Sequence, residues 1–252
     1  MQEAIDLCAV YAATRTADTE NAIVFVKGGN TGESLILRNG VSVYGSVSTS
    51  YTDTVTADGV TPSVTVDKII SDRPGLLAST TSRTRIEGVS YNRSDVFDGI
   101  AVLDGFEIEP AGESATAAVS LSSQMVLRNN YVHGATITGS GTPVVDNRGG
   151  LLYNMLVADN SPAQGAPVVA NEGGTLVNLT IDAPAGSSPV VHTASGQMFN
   201  TIATQGRLFD ASLYSGDALP LDGNTSNTPL PHELSYPPKE FCMPLDPGYT
   251  IP

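Results

Sequence analysis

Apolar and polar positions in this chain recur with a period near 24 residues, much longer than the period of a helix or a single strand. Residues 141–154, 165–178 and 187–200 align without gaps. Each begins Gly-x-Pro-Val-Val or Ser-x-Pro-Val-Val and closes on Asn, and Pro143, Pro167 and Pro189 stand 24 and 22 residues apart. A second step, apolar-x-Asn or apolar-x-Gly, reaches further back. It fits Ile86 to Gly88, Leu103 to Gly105, Leu127 to Asn129, Leu152 to Asn154, Leu176 to Asn178 and Met198 to Asn200, with Leu37 to Asn39 two coils earlier.

Gly and Asn alternate at that last position because both tolerate the left-handed backbone of a sharp corner. Stacked Asn side chains can also hydrogen-bond from coil to coil. Ordinary hairpins would repeat every 8–12 residues and use Asn-Gly turns, yet Asn39-Gly40 is the single Asn-Gly step in the chain. No run inside the period has the helical spacing of a leucine-rich repeat. The pattern therefore predicts an all-β, single-stranded, right-handed parallel β-helix of about seven to eight coils, roughly 35–40 Å long at the strand spacing. Asn129, Asn154, Asn178 and Asn200 are expected to form a structural ladder at one corner.

The ends differ from the middle. Residues 2–13 place Ile5, Ala9 and Ala12, with Cys8, on one helical face, which predicts a short N-terminal capping helix before the strand at 22–26. The solenoid with its cap is expected over 1–218. A Pro-rich irregular tail follows over 219–252, packed on or beside the last coil. Residues 46–99 break the period and read as irregular coils with projecting loops, where function tends to concentrate.

The run from Ile36 to Gly45, the step Thr84 to Gly88 and the step Ala101 to Ile108 resemble the opening of secreted bacterial right-handed parallel β-helix proteins of the pectin-lyase-like fold group. The resemblance covers residues 2–134 best. It implies that fold and an extracellular or outer-surface address, and leaves activity open, since fold does not imply function. The Gly-Gly-Gly-Ile-Tyr-like coils and closing Asp-Ile-Gly-Ala segment frequent in that group are missing here.

Charge narrows the partners. Twelve basic residues against 26 acidic ones give a net charge of −14, and Lys27, Lys68 and Lys239 are the only lysines. That excludes nucleic acid as an expected partner, and no apolar run is long enough to insert in a membrane. The start of the chain has neither the basic nor the apolar stretch of a targeting segment, which reads as one already removed. Two cysteines, Cys8 and Cys242, are too few for a disulfide scaffold. A monomer is expected.

Candidate chemistry is sparse. A lyase of this fold needs a base beside a neutralised uronate, and the best patch is Asp67, Lys68, Asp72, Arg73, Arg83 and Arg85. The Arg-x-Pro-x-x-Arg signature of pectate lyases is missing. Glycosidases need a carboxylate pair; alternation places Glu107 and Glu109 on one outward face, read as a solvated acidic stripe. Carboxylates there could hold Ca²⁺, but no cofactor is expected. His133-Gly134 resembles part of the Gly-His-Gly step of polygalacturonases, but Val132 precedes it and the companion aspartates are lacking. No metal-ligand spacing links His133, His192 and His232. No catalytic residue is assigned.

The resulting expectation is a non-catalytic surface protein that binds glycan or serves as an adhesive or structural rod. The alternative is a polysaccharide lyase or glycoside hydrolase acting on an acidic polysaccharide. Ligand contacts are expected at Tyr51, Tyr91, Arg73, Arg83, Arg85 and Arg93, because Tyr stacks on sugar faces and Arg grips carboxylates. The competing expectation is that these arginines only pair with nearby aspartates such as Asp53, Asp67 and Asp95.

Overall fold

A computed structural model describes residues 1–14, 21–47, 49–55, 64–69, 83–91, 99–184, 190–203 and 225–226. The chain is a parallel β-solenoid capped by one helix, α1 (Gln2–Thr14). Three columns of short parallel strands run along it. The first stacks Ala22–Lys27, Val41–Val47, Ala101–Asp104, Met125–Arg128 and Leu151–Tyr153, then the second halves of Val169–Val177 and Val191–Phe199. The second stacks Gly29–Asn30, Thr84–Ile86, Phe106–Ile108, Tyr131–His133, Leu156–Ala158, Thr180–Ile181, Ile202–Ala203 and Thr225–Ser226. The third stacks Ser34–Leu37, Gly88–Tyr91, Val119–Ser122 and Val145–Arg148, then the first halves of the two long strands.

Register explains the period. Val43, Leu103, Leu127, Leu152, Leu176 and Met198 are partners in the first column, and each is fully buried. Val119, Val145, Val169 and Val191 form the matching row of the third column, and Ile86, Ile108, Val132, Val157 and Ile181 that of the second. Burying each such side chain stabilises the fold by about 1.5–3 kcal/mol, so one repeat of the sequence is one layer of core. The corner between first and second columns needs positive φ. Gly105 stands there at φ 81°, and Asn129, Asn154, Asn178 and Asn200 at 48–54°.

Complete regular turns number about four, beginning at Ala101, Met125, Leu151 and Thr175, rather than seven to eight. The first turn is short. The second is interrupted between Val47 and Thr84, where Thr49–Val55 and Val64–Ile69 form an antiparallel hairpin. The turn after Phe199 runs into residues outside those described. A second correction concerns phase. Gly88 and Leu37 belong to the third column, where Gly88 pairs with Ser34 and Leu37 with Tyr91, and not to the Asn corner. Gly at a corner and Gly at a close approach read alike in sequence. Here a Cβ on Gly88 would meet the Ala118 carbonyl oxygen at 3.2 Å.

α1 covers the open end of the first turn with Ile5, Ala9 and Ala12 buried. Cys8 on the same helix is a free, half-buried thiol; Cys242 lies outside the described residues, as does the tail 219–252 apart from Thr225–Ser226. No helix is long and apolar enough to cross a membrane among the described residues.

Candidate functional site

Charged side chains gather on the outward face of the second column. Arg85, Glu107 and Tyr131 are register partners in successive coils, and Glu109 and His133 follow two residues after Glu107 and Tyr131. Alternation makes both pairs point out of the rod. Glu107 nevertheless has only 4% of its side chain exposed, so the outward acidic stripe is not a solvated one. Its neighbours close over it. Oε1 accepts a hydrogen bond from Arg85 Nη2 at 3.0 Å and lies 2.7 Å from His133 Nε2, while Arg83 Nη1 is 3.7 Å from Oε2. Arg85 also pairs with Glu109.

Aromatic contacts close the cluster. The Tyr131 and His133 rings stack with centroids 4.3 Å apart, and the Arg83 guanidinium lies over the Tyr131 ring at 5.8 Å. Burial pushes the Tyr131 hydroxyl above its ordinary pKa, reinforced by the charge of Asp159 and opposed by Arg83. Arg83 is 9% exposed, and its Nε has no hydrogen-bond partner among the described residues.

Glu107, Glu109 and His133 bring one ligand atom each within 4.8 Å of one another. Two arginines already balance the two carboxylates there, so a cation would have to displace Arg85 from both of them. The arrangement fits an internal ion network better than a metal centre.

A cleft begins one residue beyond this network. It has a volume of about 300 Å³ and runs between residues 87–90 of one coil and 110–118 of the next, with Ser34 at its foot. Ser34, Ser90, Ser114 and Thr116 bring hydroxyls to it, while Val89 and Ala118 adjoin it but belong to the buried core. Glu87 and Glu113 line it without a cationic partner among the described residues. Gly112 at φ 85° turns the outer wall.

Of the expected contact residues, Arg83 and Arg85 are in the network, engaged by glutamates of the following coil; the aspartates expected to pair with them lie outside the described side chains. Tyr91 is half-buried in the third column, packed against the core. Arg73 and Arg93 lie outside the described residues, and so does the side chain of Tyr51. Glu107, Glu109 and His133 come together although no spacing in the sequence linked them to a site. The signal was the period itself, since Glu109 and His133 are 24 residues apart. Comparison with protein-family models, curated proteins and solved structures finds no significant match to this chain.

Proposed function

We propose that the chain is an extracellular or cell-surface β-helix that holds a glycan without turning it over, and that the sugar sits in the cleft between 87–90 and 110–118. The observation that carries this is the cleft's make-up. It is concave and converges several hydroxyls with two carboxylates that have no cationic partner among the described residues, groups that suit sugar hydroxyls. The negative charge of Glu87 and Glu113 favours a neutral or amino sugar over a uronate. A pectin-lyase-like ancestry and a right-handed coil remain part of this proposal.

The catalytic alternative rests on the Glu107–His133 contact. Glu107 is buried and held by Arg83 and Arg85, which counts against its reaching a substrate as acid or base. The test is a glycan array on the whole chain, followed by titration of the best oligosaccharide against parent, Glu113→Gln and Ser114→Ala proteins. Binding weakened about tenfold or more by either change, a loss of about 1.4 kcal/mol, is the expected result. No bound glycan, binding indifferent to both changes, or release of new sugar ends from the polymer would overturn the reading.

A further inference from the structure

The cleft beside the ion network carries negative charge that no cation balances among the described residues. Glu87 belongs to one of its walls and Glu113 to the other. Arg38, Arg83, Arg85, Arg128 and Arg148 are the arginines whose side chains are described, and each pairs with a carboxylate elsewhere. Arg85 stands only two residues before Glu87. Its guanidinium nevertheless reaches forward to Glu107 and Glu109 of the following coil.

The rest of the lining narrows the ligand. No aromatic and no basic side chain borders the cleft among the described residues. A sugar ring therefore has no aromatic face to stack on, and recognition falls to hydrogen bonds and charge. Sugar hydroxyls can donate to the two carboxylates, but so does water, and the charge stays uncompensated. An ammonium group supplies three N–H donors and the missing positive charge together. The net charge of −14 draws cations toward the chain and repels anions. A volume of about 300 Å³ is at the small end for a ligand pocket, which suits a short stretch of sugar rather than a folded partner.

We infer that the ligand is a glycan bearing free amines, an amino sugar whose nitrogen is not acylated, with its ammonium held by Glu87 and Glu113. The inference rests on the glycan reading of the cleft and narrows it. An N-acetylated sugar brings no charge to the carboxylates, and a uronate brings the wrong one.

Isothermal titration of the full chain with a matched set of glucosamine, N-acetylglucosamine and glucose oligomers tests this, in a buffer acid enough to protonate the amines. Spermidine serves as an amine that carries no sugar. The glucosamine oligomer is expected to bind at least about tenfold more tightly than the other oligomers and than spermidine. Glu87→Gln and Glu113→Gln should each reduce that preference. Equal or tighter binding of either uncharged oligomer, or a preference that survives both substitutions, would overturn the inference and leave the glycan reading standing. Spermidine bound as tightly as the glucosamine oligomer would overturn it too, since charge alone would then be read. Binding of none of the oligomers also defeats the inference, while the glycan array decides the wider reading separately.

Discussion

Asn154 donates from Nδ2 to Oδ1 of Asn129, one coil away, at 2.7 Å, while both backbones hold φ near 54°. Asn129 in turn donates to Asp104 Oδ1 at 3.0 Å, and Asn200 donates to Asn178 Oδ1 at 3.1 Å. The two duties of this corner, backbone conformation and side-chain hydrogen bonding, can be separated by substitution.

Asn154→Gly keeps the conformation and loses the hydrogen bond, leaving the buried Asn129 oxygen short of a donor. It should cost about 1–3 kcal/mol. Asn154→Ala loses both and should cost roughly 1–2 kcal/mol more. Urea denaturation of the three proteins measures the difference. An alanine variant as stable as the glycine variant would mean that the left-handed conformation carries no penalty here.

The Pro-Val-Val step and the apolar row before each Asn made the stacking legible, because a solenoid repeats its core once per turn. The number of complete turns was not legible, because insertion of the hairpin between Val47 and Thr84 removes the period without ending the rod. Nor was the ion network. The chain neighbours of His133, Val132 and Gly134, say little of it, because in a solenoid the partner that matters is one coil away, here Glu107. The same repeats also carried a second buried asparagine pair, Asn147 and Asn171, which sequence reasoning passed over because its glycine partners looked like ordinary turn residues.

That second pair gives a sharper stability prediction. Asn147, fully buried, donates to Asn171 Oδ1 at 2.8 Å and to the Gly150 carbonyl at 3.0 Å, and accepts from the Gly150 amide at 2.8 Å. Asn147→Leu keeps the branched shape but strands two buried polar groups, Asn171 Oδ1 and the Gly150 amide, while the Gly150 carbonyl keeps the Thr175 amide. Each costs about 1–3 kcal/mol when unsatisfied, so the variant should lose at least about 2 kcal/mol or fail to fold. A loss below about 1 kcal/mol would show that these groups find other partners.

Removing charge from the network should show how unequal its members are. Glu107→Gln leaves the buried Arg83 guanidinium without its carboxylate, a loss of about 3–5 kcal/mol for a broken buried pair. Arg85 is 38% exposed, and Arg85→Ala should cost only about 1 kcal/mol, as partly solvated pairs do. Thermal unfolding of both variants decides it, and a larger loss for Arg85→Ala would contradict the burial argument.

Tyr131 should make the protein sensitive to alkali. Burial raises its pKa above the ordinary 10.0, with the charges of Asp159, Glu107 and Glu109 acting the same way and Arg83 against them. A phenol whose folded pKa is raised binds more protons folded than unfolded across the interval between the two values. Its contribution to stability is therefore complete below the unfolded value and is lost as pH rises through the folded one. A Tyr131→Phe variant keeps every other ionisable group, so the difference between its profile and the parent's isolates this one. Melting temperatures followed upward from neutral pH should stay a constant distance apart until the ordinary tyrosine range. Above it the parent should fall faster than the Phe variant. Profiles that remain parallel through that range would mean the Tyr131 hydroxyl ionises as easily in the fold as in the unfolded chain, and that the cluster around it is open to water.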